Sequence, residues 1–434
     1  MEYIAHSKNK GITFTEMKSN FLQRRIDFQI SFTISQLLSL LLIFLGFVYL
    51  VWELYWFQKV GYYFIKWHTR IAFTAFITGL LLFPIFFLVG YFLKMETRKK
   101  VFSIGLGIWF GLIIFEVVLS FLNINQSYSE TRTGHYRSPY EPEPDNLYHV
   151  YHANSTIKIT APEFSFTNSY NSLGYLGSEW PLLKTKAKRI ITIGDSFTEG
   201  DGSPSDSCYP SQLQKMIGPQ VEVLNAGVRG SDPVFGIKNM EDRLLRYKPD
   251  LVVQTVSEDD VRFDFYIRGG YERFQRNGTV VFRAPPKWEP IYAISNLFRM
   301  LFIAFGLDIG TPSGNPSLNK ERNEILRKVI DKYEQLGAKH DFKTVILFYP
   351  KKPELIDNYY LFDFKPTKAY IDSLSHVSYI DILPLYHKKL KLKKMKAEDV
   401  FWKIDGHHNA KGYGIMAECV MEELVSNNII NYNN

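Results

Sequence analysis

Apolar positions fall into two regimes along this chain. Residues 28–52 and 71–93 are long apolar runs without a charged residue, and residues 101–122 form a third that carries only Glu116. Each is about the ~20 residues a helix needs to cross a bilayer, whereas a buried core helix is usually shorter and charged on one face. From residue 189 onward the pattern shortens to β-rich runs at 190–193, 221–224, 251–256, 344–348 and 379–382. These are almost continuously apolar, as strands buried on both faces of a parallel sheet are. Helical periodicity occupies 209–217, 235–247, 318–336 and 410–425. The alternation predicts a three-layer α/β domain over residues 188–434, preceded by three transmembrane helices. Two stretches break the pattern. Residues 124–187 contain the Pro-broken "SPYEPEPDN" and read as a linker and lead-in. Residues 262–315 read as an insertion, in which "IYAISNLFRMLFIAFG" is a strongly apolar helix. It either packs as part of the insertion or serves as a lid or membrane-resting face.

Charge gives the three runs an orientation. Lys8, Lys10, Lys18, Arg24 and Arg25 precede the first run, and Lys94, Arg98, Lys99 and Lys100 follow the second. Only Lys59, Lys66 and Arg70 lie between them. Basic residues collect on the cytoplasmic side. Residues 1–27 are therefore expected to be a cytoplasmic tail, 28–123 three spans, and the remainder an extracytoplasmic domain of a multi-pass cell-membrane protein. The first run is too long and starts too late for a cleaved signal peptide. Glu116 is an intramembrane charge, which by default is functional or paired; near the outer end it could also snorkel to the interface. The sequence names no partner for it. The net charge of +7 comes from this same third: 12 Lys+Arg and 6 Asp+Glu through Asn123, against 39 and 38 afterwards. It is no sign of nucleic-acid binding, which needs a basic face on the folded domain. Two cysteines, Cys208 and Cys419, exclude a disulfide-dense scaffold and a cysteine-based zinc site. Both are expected to be buried free thiols.

In a parallel α/β sheet, ligands bind at the carboxyl ends of the strands. In "RIITIGDSFTEG", Ser196 sits at such an end and the next helix opens at Phe197 and Thr198. Free N–H groups and the helix dipole favour negative charge there, which suits a nucleophilic serine and the oxyanion it creates. An ordinary turn with Ser196 as N-cap would use the same letters. In "LNAGVRG", Gly227 follows the second strand, where its backbone can approach a ligand and its N–H can donate to an oxyanion. In "FWKIDGHHNAKGYG", Asp405, His407 and His408 share a short loop closed by Asn409, the cap of the last helix. A serine needs a general base, and the base needs an acid to set its tautomer.

Together "GDSFTEG", "NAGVRG" and "DGHHNAKG" resemble the blocks of the SGNH (GDSL-like) hydrolase family in order and separation, over about residues 170–430. The approach "NSLGYLGSEWP" looks like the lead-in of extracytoplasmic members. The resemblance implies an SGNH/flavodoxin-like parallel-sheet domain. Ser196 would be the nucleophile with its own N–H in the oxyanion hole, and Gly227 would give a second N–H. Asp405 would orient the base, His407 or His408. Asp-x-x-His spacing points to His408 and Asp-x-His spacing to His407; the run His407, Asn409, Gly412 matches the family's usual path into the last helix and favours His407.

One block departs. The family's third block is Gly-x-Asn-Asp, whose Asn amide donates to the oxyanion, but this chain has Ser257, Glu258, Asp259 and Asp260. Asp259 thus stands where the Asn belongs. An ionised carboxylate has no proton to donate, and losing such a donor costs on the order of 2.7–4 kcal/mol. Three readings stay open: a protonated Asp259, a hole of two backbone donors, or weak or absent catalysis. A cation held by Asp195, Asp259 and Asp260 has no recognised ligand spacing behind it, and neither metal nor cofactor is expected.

The expectation is a membrane-anchored serine esterase or O-acyltransferase acting outside the cytoplasmic membrane. The resemblance points to acyl, especially acetyl, esters of cell-surface glycans, although no residue identifies a glycan. Two rivals stand beside it: a weakly active or inactive SGNH-like glycan-binding or scaffolding module, and a lipid-active esterase, suggested by the apolar segment at 292–305. Three spans exceed what an anchor requires, so a membrane partner such as a transporter or acyl-donor protein is also expected.

Overall fold

A computed structural model of the chain describes residues 67–93, 95–122, 150–275, 295–305 and 316–429, with single residues at 41, 44, 47, 48, 51, 52, 280 and 292. The expected tail at 1–27, most of the run at 28–52 and the linker at 124–149 lie outside the described residues. The chain divides into two compact units, residues 1–130 with 285–310 and residues 131–284 with 311–434.

The first unit contains the helices Trp67–Tyr91, Met95–Leu122 and Asn296–Ala304. Among the described residues, one helical segment, 99–122, is long and apolar enough to cross a membrane. A shorter apolar segment, 70–82, lies in the helix before it. Three spans were expected; among the described residues one helix has the length and apolarity of a span. The buried residues of the unit are mixed, with Phe73, Trp109 and Leu119 beside polar and charged side chains. Arg70, Thr74, Glu116, Ser295, Asn296 and Arg299 are buried, while Leu81, Ile104, Ile114, Phe121, Leu301 and Phe305 are exposed. In water the hydrophobic effect disfavours so many large apolar side chains on one surface.

The second unit begins with a hairpin, β1 (Thr156–Thr160) against β2 (Ser165–Ser169). The stretch read as linker and lead-in, 124–187, thus includes a hairpin that the reading did not name: Ile157 and Ile159 alternate with polar residues, a half-buried strand pattern. A parallel sheet follows, built from β3 (Lys188–Gly194), β4 (Val221–Gly227), β5 (Leu251–Val256), β6 (Lys343–Phe348) and β7 (Val377–Asp381), in the order β4-β3-β5-β6-β7. In strand sequence this is 2-1-3-4-5, the doubly wound order of flavodoxin-like sheets, with its switch point beside the first strand.

Successive strand residues face opposite ways, so each strand feeds two cores. Ile191, Val252 and Ile346 pack with the helices Pro233–Asn239 and Pro316–His340. Ile190, Val253 and Val345 pack with the helices Tyr209–Ile217, Ile382–Leu392 and Ala410–Ser426. This is the expected three-layer arrangement. The last strand starts two residues and ends one residue earlier than the run 379–382 predicted. Asp381 ends it, because its carboxylate accepts from Leu383 N–H and caps the helix Ile382–Leu392. Cys208 and Cys419 are free and buried.

Arg189 fixes the start of β3. Its fully buried guanidinium pairs with Glu222 on β4 and donates to the carbonyls of Pro181, Leu182, Leu183 and Tyr247. Breaking one side of a buried ion pair typically costs about 3–5 kcal/mol, so Arg189→Met should destabilise the chain by about that much in denaturant unfolding. A loss below about 1 kcal/mol would mean that water replaces these contacts freely.

Candidate active site

Three loops converge at the carboxyl edge of the sheet. After β3, Asp195 caps the short helix Ser196–Glu199: its Oδ1 accepts from Phe197 N–H at 2.9 Å, and its backbone carbonyl accepts from Thr198 and Glu199. Its Oδ2 accepts from the Tyr349 hydroxyl at 2.8 Å, tying this turn to the chain leaving β6. The capping consumes the N–H groups of the turn from Phe197 onward and leaves the Ser196 N–H without such a partner among the described residues. Ser196 itself is half-buried at the mouth of the turn.

The loop before the last helix brings His407 to it. Ser196 Oγ and His407 Nε2 lie 2.9 Å apart, and His407 Nδ1 lies 2.6 Å from Asp405 Oδ1. Serine, imidazole and carboxylate thus stand in series. The hydrogen bond to His407 holds the Asp405 carboxyl below the usual carboxylate range, since it favours the charged form. His408, the rival for the base, lies elsewhere. It is fully buried among Phe197, Tyr386, Phe401 and Tyr413, and its Nδ1 faces the Val400 carbonyl at 3.2 Å. Burial drives its pKa down to about 3, so it is a neutral core residue.

Gly227 ends β4 opposite Gly194 of β3, and its N–H donates to Asn225 Oδ1 at 3.0 Å. It therefore reaches a ligand only by sharing that proton, which weakens the expectation of a dedicated second donor. Close approach, not flexibility, requires the glycine: a Cβ there would come within 2.3 Å of Glu199 N.

The departing block resolves into separate jobs. Asp260 Oδ2 accepts from Ser257 N–H and Oγ, closing the turn after β5, and Glu258 pairs with Arg262 at 2.6 Å. Burial, with Asp195 and Asp264 nearby, pushes the Asp260 carboxyl well above its ordinary range. Asp259 turns instead toward Lys351, whose Nζ is 3.1 Å from its Oδ2 and 3.8 Å from Asp195 Oδ2. Burial acts against the Lys351 ammonium, but the carboxylates of Asp259, Asp195 and Asp260 outweigh it and hold its pKa above the ordinary lysine value. The ammonium also lies 4.3 Å from the centre of the Phe197 ring. Asp195 is thus spent on a helix cap and Asp260 on the turn after β5. Among the described residues no group of three or more His, Cys, Asp or Glu side chains is placed to hold a metal ion.

Four supporting residues escaped the sequence reading. Lys351 is one, although its place just beyond β6 is where the strand-end rule would have sent a search. Asp201 is the second: its buried Oδ2 lies 3.9 Å from His407 Nε2 and 3.3 Å from Arg229 Nε. Glu199 is the third; it accepts from Arg229 N–H and the Tyr170 hydroxyl, and burial raises its pKa to about 7. The fourth is Glu163, in the turn of the β1–β2 hairpin. Its carboxylate accepts from the N–H groups of Lys403, Ile404 and Asp405 at 2.7–3.0 Å, holding the loop that carries Asp405 and His407. Phe164 packs beside Trp402, which donates to the Gly202 carbonyl. No sequence pattern marks a contact 242 residues apart. A groove of about 280 Å³ between Tyr271, Ile325 and Lys332 contains none of these residues.

No protein-family model matches the chain, and a search of curated proteins finds no relative. Solved structures do resemble it. A member of the lipolytic protein G-D-S-L family from Veillonella parvula is 16% identical, covering 55% of this chain and 99% of its own, with a TM-score of 0.35. A family 3 carbohydrate esterase from Clostridium thermocellum is 14% identical over 55% of this chain and 96% of its own, with a TM-score of 0.34. The lipase/acylhydrolase from Enterococcus faecalis is 16% identical over 55% and 96%, with a TM-score of 0.33. At these scores the functional reading rests on the geometry of the site itself.

Glu163→Gln, which leaves one accepting oxygen for three N–H groups, should slow the reaction of Ser196 with a fluorophosphonate by on the order of tenfold through misplacement of His407. The unfolding midpoint should hardly move. Unchanged reactivity, followed by intact mass, would show that the loop holds its shape without the hairpin.

Proposed function

We propose that this chain is a membrane-anchored serine esterase of the SGNH type, acting on acyl esters outside the cytoplasmic membrane. The observation that carries the proposal is the series Ser196 Oγ–His407 Nε2–Asp405 at 2.9 and 2.6 Å, at the carboxyl end of the first sheet strand. Ser196 Oγ attacks the ester carbonyl as His407 Nε2 takes its proton, while Asp405 holds the Nδ1–H and stabilises the imidazolium. The leaving alcohol recovers that proton from His407, and an acyl-enzyme remains on Ser196. Water, or a sugar hydroxyl in the transfer variant, then gives its proton to His407 and attacks the acyl carbon, restoring Ser196. Asp201 Oδ2 also faces this ring, 3.9 Å from His407 Nε2.

The oxyanion would meet the Ser196 N–H and a shared Gly227 N–H. Asp259 is tolerated there because Lys351 Nζ faces its carboxylate at 3.1 Å. The ammonium supplies the positive field that the family's Asn amide supplies as a donor. Support for the membrane reading comes from the first unit, which buries Arg70, Glu116 and Arg299 and exposes a run of large apolar side chains. The substrate we favour is an acetylated cell-surface glycan; the lipid-active alternative draws on the apolar segment near Phe305.

Fluorophosphonate treatment of the full chain should add one adduct by intact mass, absent in Ser196→Ala. Lys351→Met should slow labelling by about 10–100-fold, because it leaves an uncompensated carboxylate beside the oxyanion. The double variant Lys351→Met/Asp259→Asn should recover most of that loss. Absence of labelling in folded wild-type chain would overturn the esterase in favour of a binding module.

A further inference from the structure

Glu116 is fully buried in the helix Met95–Leu122, and it has partners. Its Oε1 accepts from Asn296 N–H at 2.8 Å, and its Oε2 accepts from Ser295 Oγ at 2.8 Å and Leu297 N–H at 2.9 Å. These groups open the helix Asn296–Ala304. Thr74 Oγ1 donates to Ser295 Oγ, and Asn296 Nδ2 donates to Ser120 Oγ. Three chain segments meet here, one of them 179–181 residues downstream of Glu116 and 221 residues downstream of Thr74. All lie within the first unit.

The arrangement answers two costs at once. A carboxylate in an apolar helix bundle is expensive unless several donors meet it. The first N–H groups of a helix have no partner within the helix and are equally expensive away from water. Glu116 and the end of Asn296–Ala304 satisfy each other, and the positive end of the helix dipole favours the carboxylate. Glu116 lies six residues from the end of its helix, about 9 Å at 1.5 Å per residue. A hydrocarbon layer ~30 Å thick then contains it. The downstream helix keeps its one charged residue, Arg299, buried with a hydrogen bond from Nε to the Tyr292 carbonyl, and exposes Met300, Leu301 and Phe305. An apolar outer face on a helix that begins inside the bilayer has acyl chains as its surroundings.

We infer that the helix Asn296–Ala304 is a re-entrant membrane element, latched by Glu116, whose Leu301–Phe305 face contacts lipid acyl chains. The inference rests on the membrane reading of the first unit. It means that the chain of the catalytic unit returns to the bilayer in mid-domain, so three covalent connections, not one linker, join the two units.

The test uses the full chain in native membranes. Leu301→Cys and the exposed control Lys339→Cys are each treated with a membrane-impermeant maleimide and, separately, a lipid-soluble one; the two native thiols are buried and the unmodified chain sets the background. Leu301→Cys should react with the aqueous reagent at least about tenfold more slowly than Lys339→Cys, as expected for a site in hydrocarbon, and react readily with the lipid-soluble reagent. Glu116→Ala in the Leu301→Cys background should raise aqueous labelling severalfold; unaltered protection in that folded background would overturn the latch. Equal aqueous labelling of the two cysteines, in a chain that resists alkaline extraction, would overturn the re-entrant helix while leaving the anchor intact. A chain released by alkaline washing would overturn the membrane reading and the inference together.

Discussion

One hydrogen bond, Ser196 Oγ to His407 Nε2, joins residues 211 positions apart, and much of the second unit is arranged around its two ends. The serine end is set by the sheet: β3 stops where Asp195 caps the next turn, and Tyr349 fastens that cap to the exit of β6. The histidine end is a loop, and a loop needs external restraint. It is held from below by His408, whose neutral ring is packed into the core, and from outside by the Glu163 carboxylate on three consecutive N–H groups. The adjacent histidines therefore divide the labour. One is buried and uncharged so that the other is presented at the surface.

Charge balance is the second constraint. The carboxyl edge of the sheet gathers Asp195, Asp201, Asp259, Asp260 and Glu199, a field that would oppose any oxyanion. The chain disposes of it piecewise. Asp195 and Asp260 are spent on backbone and hydroxyl donors, Glu199 is pushed toward neutrality by burial, Asp201 faces Arg229, and Asp259 faces Lys351. The same economy of pairing governs the first unit, where Glu116 is tolerable because a helix end needs it.

The local blocks were legible because each is contiguous. Strand, turn and cap are written in order in "ITIGDS", Ile191 to Ser196, and the layer order follows from runs that are almost continuously apolar. His407 could be preferred over His408 by spacing, but only packing gives the physical reason, since both neighbours look alike until one is placed against Phe401 and Tyr386. Asp259 reads from sequence as a defect because its counter-ion comes from another strand end, 92 positions away by the numbering of Lys351. Glu163 and the β1–β2 hairpin were hidden for the same reason: their value lies in a contact with a distant loop. The apolar segment near Leu301 was recognised by composition, while its seat against Glu116 depended on pairing that one-dimensional patterns do not encode.

The series of three side chains is the central claim, and its middle step is the most exposed to test. If Asp405 sets the tautomer of His407, Asp405→Asn should leave the fold and the Ser196 position intact while slowing fluorophosphonate labelling of Ser196 by up to about 10⁴-fold, as loss of the orienting acid does in a serine–histidine–aspartate system. Labelling rates within a factor of about two of wild type would mean that Asp405 holds the loop without orienting the base, and the relay read from the 2.6 Å contact would have to be abandoned.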